Sequence, residues 1–451
     1  MSFGNRVDFQ ERLREVIRLY GSGSLDETRF LLESLRAPEI ANLLESTPPK
    51  VRRVIWGLLD EEDENQAIQH LREDVRADFL ESMDTERLVA AGVDLEDDDF
   101  ADILQELPAT ISNQVLASLD QSDRARVETV LSYPEDSAGG IMNTDTITVR
   151  PRHSVELVLR YLRLRKDLPE ATDALIVVNQ RDEYVGMVSL ASLITSDPTV
   201  TVREVMDTEA ESIPAETPDT EVARLFSEQD LISAPVVDED GRLIGRITID
   251  DVVDVIIEDA DEAVLARAGL DLEDDTFAPI MKSVKSRALW LGVNLLTTFM
   301  AAAVINVFEE TIAKVVALAV LMPIVASMGG IAGTQTLTLV IRGIAVGQLG
   351  RANLPYLLNR EFLVAVLNGL MLAVVVAFAA AAAFGDPVLG FVIALAMLIN
   401  LLVAAVSGTL LPSILNALRI DPAIAGGVVL TTITDVTGFF TFLGLATWAY
   451  A

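Results

Sequence analysis

VAVLNGLMLAVVVAFAAAAAF, residues 364–384, runs through 21 positions without a charged side chain. A helix buried in a soluble core shows polar residues at helical spacing on its outer face, and this stretch offers only Asn368. About 20 apolar residues are what a helix needs to cross a bilayer. The stretch predicts a transmembrane span. The span it belongs to covers residues 361–385, and outward from it residues 286–307, 312–341, 388–416 and 424–448 are similarly apolar, so residues 284–451 read as an all-α membrane domain of five spans.

The rest of the chain is of another kind. Residues 1–280 carry 26 basic against 62 acidic side chains, whereas residues 281–451 carry 8 against 6, which together give the net charge of −34. So acidic a surface repels phosphate backbones and attracts cations, which argues against nucleic-acid binding. Only five of the basic residues are lysines, a skew that suits adaptation to high salt. The chain of 451 residues, 51% apolar and 23% charged, is too apolar for disorder and long enough for two to four domains. The absence of cysteine excludes disulfides, thiolate zinc sites and cysteine nucleophiles, and two histidines leave little for imidazole chemistry. No phosphate-loop, HExxH or GxSxG motif occurs, and His153 beside Ser154 reads as a helix start, so an enzyme is not expected.

Cations flanking spans collect on the cytoplasmic side. Placing residues 1–285 inside puts Lys282, Lys285, Arg287, Arg342, Arg351, Arg360 and Arg419 at cytoplasmic ends and only Lys314 outside. This predicts a multi-pass protein of the cell membrane with soluble domains in the cytosol, no cleaved leader, and the C-terminus outside.

The few polar residues within the spans carry the chemistry. The second span holds Pro323 and MGGIAGTQ (328–335), where Gly329, Gly330 and Gly333 permit a break or a close helix approach and Gln335 offers an amide. The fifth holds TTITDVTGFF (431–440), with Asp435 about half-way along. An ionised carboxylate at mid-bilayer costs about 2.5–3.5 kcal/mol on insertion scales, so it needs water, a cation or a partner. No lysine or arginine is placed to pair with it, and a cation pathway is the simplest way to keep it. The hydroxyls of Thr431, Thr432, Thr434 and Thr437 can accept hydrogen bonds from metal-bound water, as a strongly hydrated ion such as Mg²⁺ requires.

IVVNQRDEYVGMVSLASL (176–193) aligns without gaps on PVVDEDGRLIGRITIDDV (235–252), an internal repeat of strand, turn, strand and helix start that predicts two packed α/β modules. Upstream, PEIANLLESTP (38–48) recurs as DDFADILQELP (98–108), which predicts a superhelix of short helices. Downstream, residues 255–280 are strongly acidic and lead into the first span, where a gate would sit.

GRLIGRITIDDVVDV (241–255) resembles the end of a CBS motif, and YPEDSAGGIM (133–142), the spans, P-x₅-GG-x-x-G-x-Q and TTITDVTG in this order are similar to the MgtE family of magnesium channels. The resemblance implies a helical N domain (1–134), CBS modules at 135–200 and 201–258, an acidic connecting helix (259–283) and a pore domain (284–451). It implies a homodimer in membrane lipid that imports Mg²⁺ and closes when cytosolic Mg²⁺ is high. Asp435 would be the pore carboxylate, with Gly438, Gly329 and Gly330 shaping the path and Asp421 near the mouth. Thr431, Thr434 and Gln335 complete the expected pore set. Asp98, Asp102, Asp230, Asp251, Asp254, Asp259 and Glu262 would hold regulatory Mg²⁺, and ATP or another adenine nucleotide is a ligand the CBS pair would take. The family usually has Asn where this chain has Ile331, which bears on selectivity. Two other readings stay open: a transporter of Co²⁺, Mn²⁺ or Ni²⁺, disfavoured by the lack of soft ligands, and a membrane-anchored CBS sensor that transports nothing.

Overall fold

A computed structural model describes residues 12–19, 24–80, 83–165, 168–169, 171–266, 269–270, 276–278, 280–345, 347–350 and 352–451. Arg351 and residues 271–275, four of them acidic, lie outside these. The chain divides into two compact units, Met1–Asp261 with Glu273–Pro279 and Glu262–Leu272 with Ile280–Ala451.

The first unit opens with short helices: α1 (12–19), α2 (Leu25–Leu32), α3 (Ala37–Glu45), α4 (Pro49–Trp56), α5 (Glu61–Ile68), α6 (Glu73–Leu80), α7 (Thr85–Asp94), α8 (Asp97–Glu106), α9 (Ala109–Ser118) and α10 (Gln121–Val130). Helices of eight to ten residues are marginal alone and hold only by packing. Their starts are written locally. Asp60, Asp84 and Asp120 each accept a backbone N–H from the first turn of α5, α7 and α10. The repeat is structural as well as textual, because Ile40, Ala41, Leu43 and Leu44 of α3 and Phe100, Ala101, Ile103 and Leu104 of α8 are all buried.

Each α/β module is a three-stranded sheet. The first comprises β1 (Thr148–Val149), α11 (Val155–Leu164), β2 (Ala174–Val178), β3 (Tyr184–Ser189) and α12 (Leu190–Thr195); α13 (Val202–Val205) leads to the second. The second comprises β4 (Ile213–Pro214), α14 (Asp219–Gln229), β5 (Ser233–Val237), β6 (Leu243–Thr248) and α15 (Ile249–Ala266). In both the first strand pairs parallel with the second and the second antiparallel with the third, with the same register shift at Val177/Val178 and Val236/Val237. Their hairpin turns bond to one another, Tyr184 N–H to the Gly241 carbonyl and Leu243 N–H to that of Asp182, both at 3.0 Å. Apolar residues of the second module, among them Ile213, Phe226, Val236 and Val252, join the helical array in one core. Of the stretch expected as an acidic connecting helix, 259–283, residues 259–266 continue α15, Gly269, at φ +69°, follows its end, 280–283 open the next long helix, and 271–275 lie outside the described residues.

The second unit comprises α16 (Ile280–Val307), α17 (Glu309–Lys314), α18 (Ala317–Ala345), α19 (Leu354–Phe384), α20 (Pro387–Ala417) and α21 (Pro422–Ala449). Five of these, all but α17, are long and apolar enough to cross a membrane. The second span begins at Ala317 rather than 312, because residues 312–314 belong to the short α17. The span is also unbroken. Pro323 and the three glycines lie inside a continuous helix, which neighbouring helices in a membrane make tolerable, so the glycines serve close approach. A Cβ at Gly329 would stand 2.2 Å from Asn400 Nδ2, and one at Gly333 would stand 3.0 Å from Leu430. Packed against α18, α19 and α21, α20 is the central helix of this unit.

Candidate functional site

Two constellations stand out, one in each unit. In the membrane unit, Asp435 lies mid-way along α21, half-buried, and no hydrogen bond or ion pair reaches its carboxylate among the described residues. Thr431 and Gly438 lie one turn to either side of it on the same face of the helix. The threonine hydroxyls are turned inward as donors: Thr431 bonds the Gly427 carbonyl at 2.6 Å, Thr432 that of Val428 at 2.7 Å and Thr434 that of Thr431 at 3.0 Å. Donating the proton to the backbone leaves oxygen lone pairs as acceptors, which suits the hydrogens of a hydrated cation. Asp421 accepts the Ala423 N–H at 2.6 Å as the cap of α21 and is exposed.

Gly330 faces Thr431, whose methyl would stand 3.5 Å from a Cβ there. Gly329 and Gly438 close on the amide of Asn400, a residue of α20 that is 1% exposed. Its Nδ2 donates to the Val325 carbonyl at 2.9 Å and its Oδ1 is buried without a partner. Asn400 was legible as a lone amide in an apolar run, but spacing gives no reason to pair it with glycines on two other helices. Ile331 is exposed on α18.

Gln335 lines a pocket of about 270 Å³ with Thr336, Arg360, Glu361 and Asn368. Glu361 is 8% exposed; its carboxylate accepts from Arg360 Nη1 at 2.7 Å and from the Thr336 hydroxyl at 3.3 Å. At the other end of the bundle the Tyr450 hydroxyl bonds Asp386, and Thr311 meets Thr447 at 2.8 Å.

In the soluble unit the acidic first turns of α8 and α15 come together. Carboxylate oxygens of Glu96, Asp98 and Asp251 all lie within 4.8 Å of one another. Both helix N-termini carry partial positive charge, which offsets part of the like-charge repulsion. Neighbouring acids are already engaged: Asp97 takes Arg126 Nε at 3.1 Å and the Thr144 hydroxyl. Asp98 is 5% exposed and its Oδ1 is an orphan. Burial, then the charge of Asp251 beside it, holds the Asp98 carboxyl well above the usual range. Burial pushes Asp251 up to about 7, against the opposing hydrogen bonds of Thr248, whose hydroxyl lies 2.8 Å from Oδ2. Three converging carboxylates, one with a buried unpaired oxygen, fit a hard divalent cation with an oxygen shell.

Asp102 belongs to the edge of this region. Burial lifts it to about 7, and burial lifts Asp99 to about 6, in each case against the pull of Arg76. That arginine is buried against Glu106, its Nε 2.6 Å from Oε1. Asp254 is raised chiefly by burial, with the His70 ring opposing, and Asp259 chiefly by burial and then by Asp219. Asp230 is exposed and left-handed at the end of α14, where it serves the turn. Glu262 lies on α15, in the other unit. Glu96 is the member of the carboxylate trio that motif matching did not single out.

Comparison with known proteins follows the same division. Family models match at residues 35–136 (MgtE intracellular N domain), 138–197 and 202–258 (CBS domain) and 322–445 (MgtE, divalent cation transporter). The Magnesium transporter MgtE of Bacillus subtilis is 31% identical over 98% of both chains. That of Thermus thermophilus is 31% identical over 98% of this chain and 97% of its own. A crystal structure of the cytosolic domain of the Mg²⁺ channel MgtE in complex with ATP is 32% identical, covering 54% of this chain and 99% of its own, at a TM-score of 0.49.

Proposed function

The chain belongs to the MgtE family of divalent cation transporters, and on that premise we propose that it carries Mg²⁺ into the cell and is closed by cytosolic Mg²⁺ held between carboxylates of its soluble unit. The observation that carries the transport reading is Asp435, a mid-span carboxylate with no cation or donor to satisfy it among the described residues. A passing hydrated cation supplies what the protein does not, and the lone pairs of Thr431, exposed one turn before Asp435, take hydrogens of its water shell, whereas Thr434 is fully buried. An all-oxygen lining favours a hard ion over Co²⁺, Mn²⁺ or Ni²⁺.

In this reading the path is completed by a second copy of the chain, and the flanking cations put the soluble unit inside and the C-terminus outside. Closure follows from the trio Glu96, Asp98 and Asp251: empty, their repulsion loosens the packing of α8 on α15; with Mg²⁺ bound, the packed form gains population in proportion to its preference for the ion. Ligands of a divalent cation there would be these three carboxylates, with Asp102 and Asp254 nearby in the acidic surroundings. An adenine nucleotide in the CBS pair belongs to the same scheme.

The test is Mg²⁺ flux into liposomes for the native chain and Asp435→Asn, with competing divalents at equal concentration. The proposal expects saturable flux in the native chain, loss of at least tenfold in the variant, and weak competition from Co²⁺ and Ni²⁺. Equal flux in both proteins would remove Asp435 from the path, and no flux in either would leave the membrane-anchored sensor as the reading.

A further inference from the structure

In a soluble region where acidic side chains outnumber basic ones 62 to 26, one cavity has the opposite sign. It is about 410 Å³, lies where the first CBS module meets the segment leading to the second, and is lined by Arg150, Arg152 and Arg203 together with Asn179, Gln180 and Thr201. Two of the arginines come from the turn that follows β1, and the third comes from α13. No acidic residue forms its wall.

The state of each donor decides what the cavity can hold. Asn179 and Thr201 are occupied within the fold, by Glu183 at 2.6 Å and Glu204 at 2.7 Å. Arg150 is half engaged: Nη2 donates to Asp182 at 2.8 Å, while Nη1 is buried without an acceptor. Arg152 and Arg203 make no ion pair or side-chain hydrogen bond among the described residues, although carboxylates abound in this unit. Three guanidinium groups gathered with five or more free N–H donors have an unmet need for anionic oxygen.

The CBS fold does not impose this. In the second module the positions after β4 are Ala215, Glu216 and Thr217, and the turn residues matching Asn179 and Gln180 are Asp238 and Glu239. A different cavity of the second module, about 440 Å³ and placed against β4 and α14, is lined by Glu211, Glu216 and Glu221. The repeat keeps the strand and turn pattern constant, and the arginine pair after the first strand occurs only at β1.

We propose that this cavity binds a small phosphate-bearing anion, with Arg150, Arg152 and Arg203 supplying charge and Gln180 an amide donor. Guanidinium forks match phosphate oxygens two at a time and stay charged at any physiological pH. The acidic surroundings keep out long polyanions such as nucleic acid, whose further charges would meet carboxylates.

The experiment is equilibrium dialysis of radiolabelled pyrophosphate against the full-length protein in nanodiscs, at fixed ionic strength and without Mg²⁺, with inorganic phosphate and ATP as competitors. Saturable binding of one pyrophosphate per chain is expected. The double variant Arg152→Gln, Arg203→Gln, with both changes at exposed side chains, should weaken it at least tenfold at an unchanged melting temperature. Asp182→Asn should tighten it, because Arg150 is released toward the cavity. Displacement by phosphate would mark a single phosphoryl group as the ligand, and displacement by ATP alone would mark a nucleotide's phosphate tail. Absence of saturable binding by all three probes, or equal binding by the native chain and the double variant, would overturn the assignment.

Discussion

Asn400 Nδ2 donates to the carbonyl of Val325 at 2.9 Å, and this amide fills the space that Gly329 and Gly438 leave open between α18, α20 and α21. A Cβ at Gly329 would lie 2.2 Å from Nδ2 and one at Gly438 would lie 2.8 Å from it. Overpacking of this kind costs about 1–3 kcal/mol. Gly329→Ala should therefore lower the melting temperature of the protein in detergent and reduce flux. Asn400→Ala should recover much of both when combined with it, and additive losses in the double variant would show that the amide does not set the spacing.

The proposed pore role of Asp435 separates transport from stability, because among the described residues no hydrogen bond or ion pair reaches its carboxylate. Asp435→Asn should leave the melting temperature within a degree or two and abolish most Mg²⁺ flux. A large stability change would assign the carboxylate to structure.

The soluble cluster has a pH signature whose sign is fixed by its raised pKa values. Asp251 and Asp102 are lifted to about 7 and Asp99 to about 6, mainly by burial. The folded form therefore binds protons more tightly than the unfolded one. Its stability is greatest below the ordinary carboxylate pKa near 4 and is lost as pH rises through 6 to 7. Without metal, the packing of the helical array on the second module should loosen over that window, read as rising protease sensitivity. Mg²⁺ competes with the same protons, so its apparent affinity should rise between pH 5 and 8. A pH-independent affinity would place the ion elsewhere.

Asp98→Asn removes a buried charge facing Asp251 and keeps the shape. The variant should be more stable than the native chain in chelator at pH 8 and should gain less protease protection from millimolar Mg²⁺. Equal gains in both proteins would count against a cation between α8 and α15.

Arg76 acts as a fixed cation inside this region through its buried pair with Glu106. Breaking a buried pair by removing one partner costs about 3–5 kcal/mol, so Arg76→Gln should destabilise the soluble unit strongly. Glu106→Gln in the same chain should restore part of the loss. Thermal melts of the two variants and their combination measure the coupling.

The amino-acid order alone was enough to place the five apolar spans, the module repeat, the short capped helices and the lone carboxylate at 435. Each rests on local properties: hydrophobic length, periodicity, an Asp ahead of a helix, a charge where none should lie. Tertiary packing decided what these cannot encode locally. It brought Glu96 and Asp98 to Asp251 across some 150 residues of chain, seated Asn400 on glycines of two other helices, set Gln335 and Glu361 in the wall of one cavity, and left the glycine-rich span unbroken. Such contacts depend on which faces of separate elements meet, and that choice is made by the whole core rather than by any stretch of residues within it.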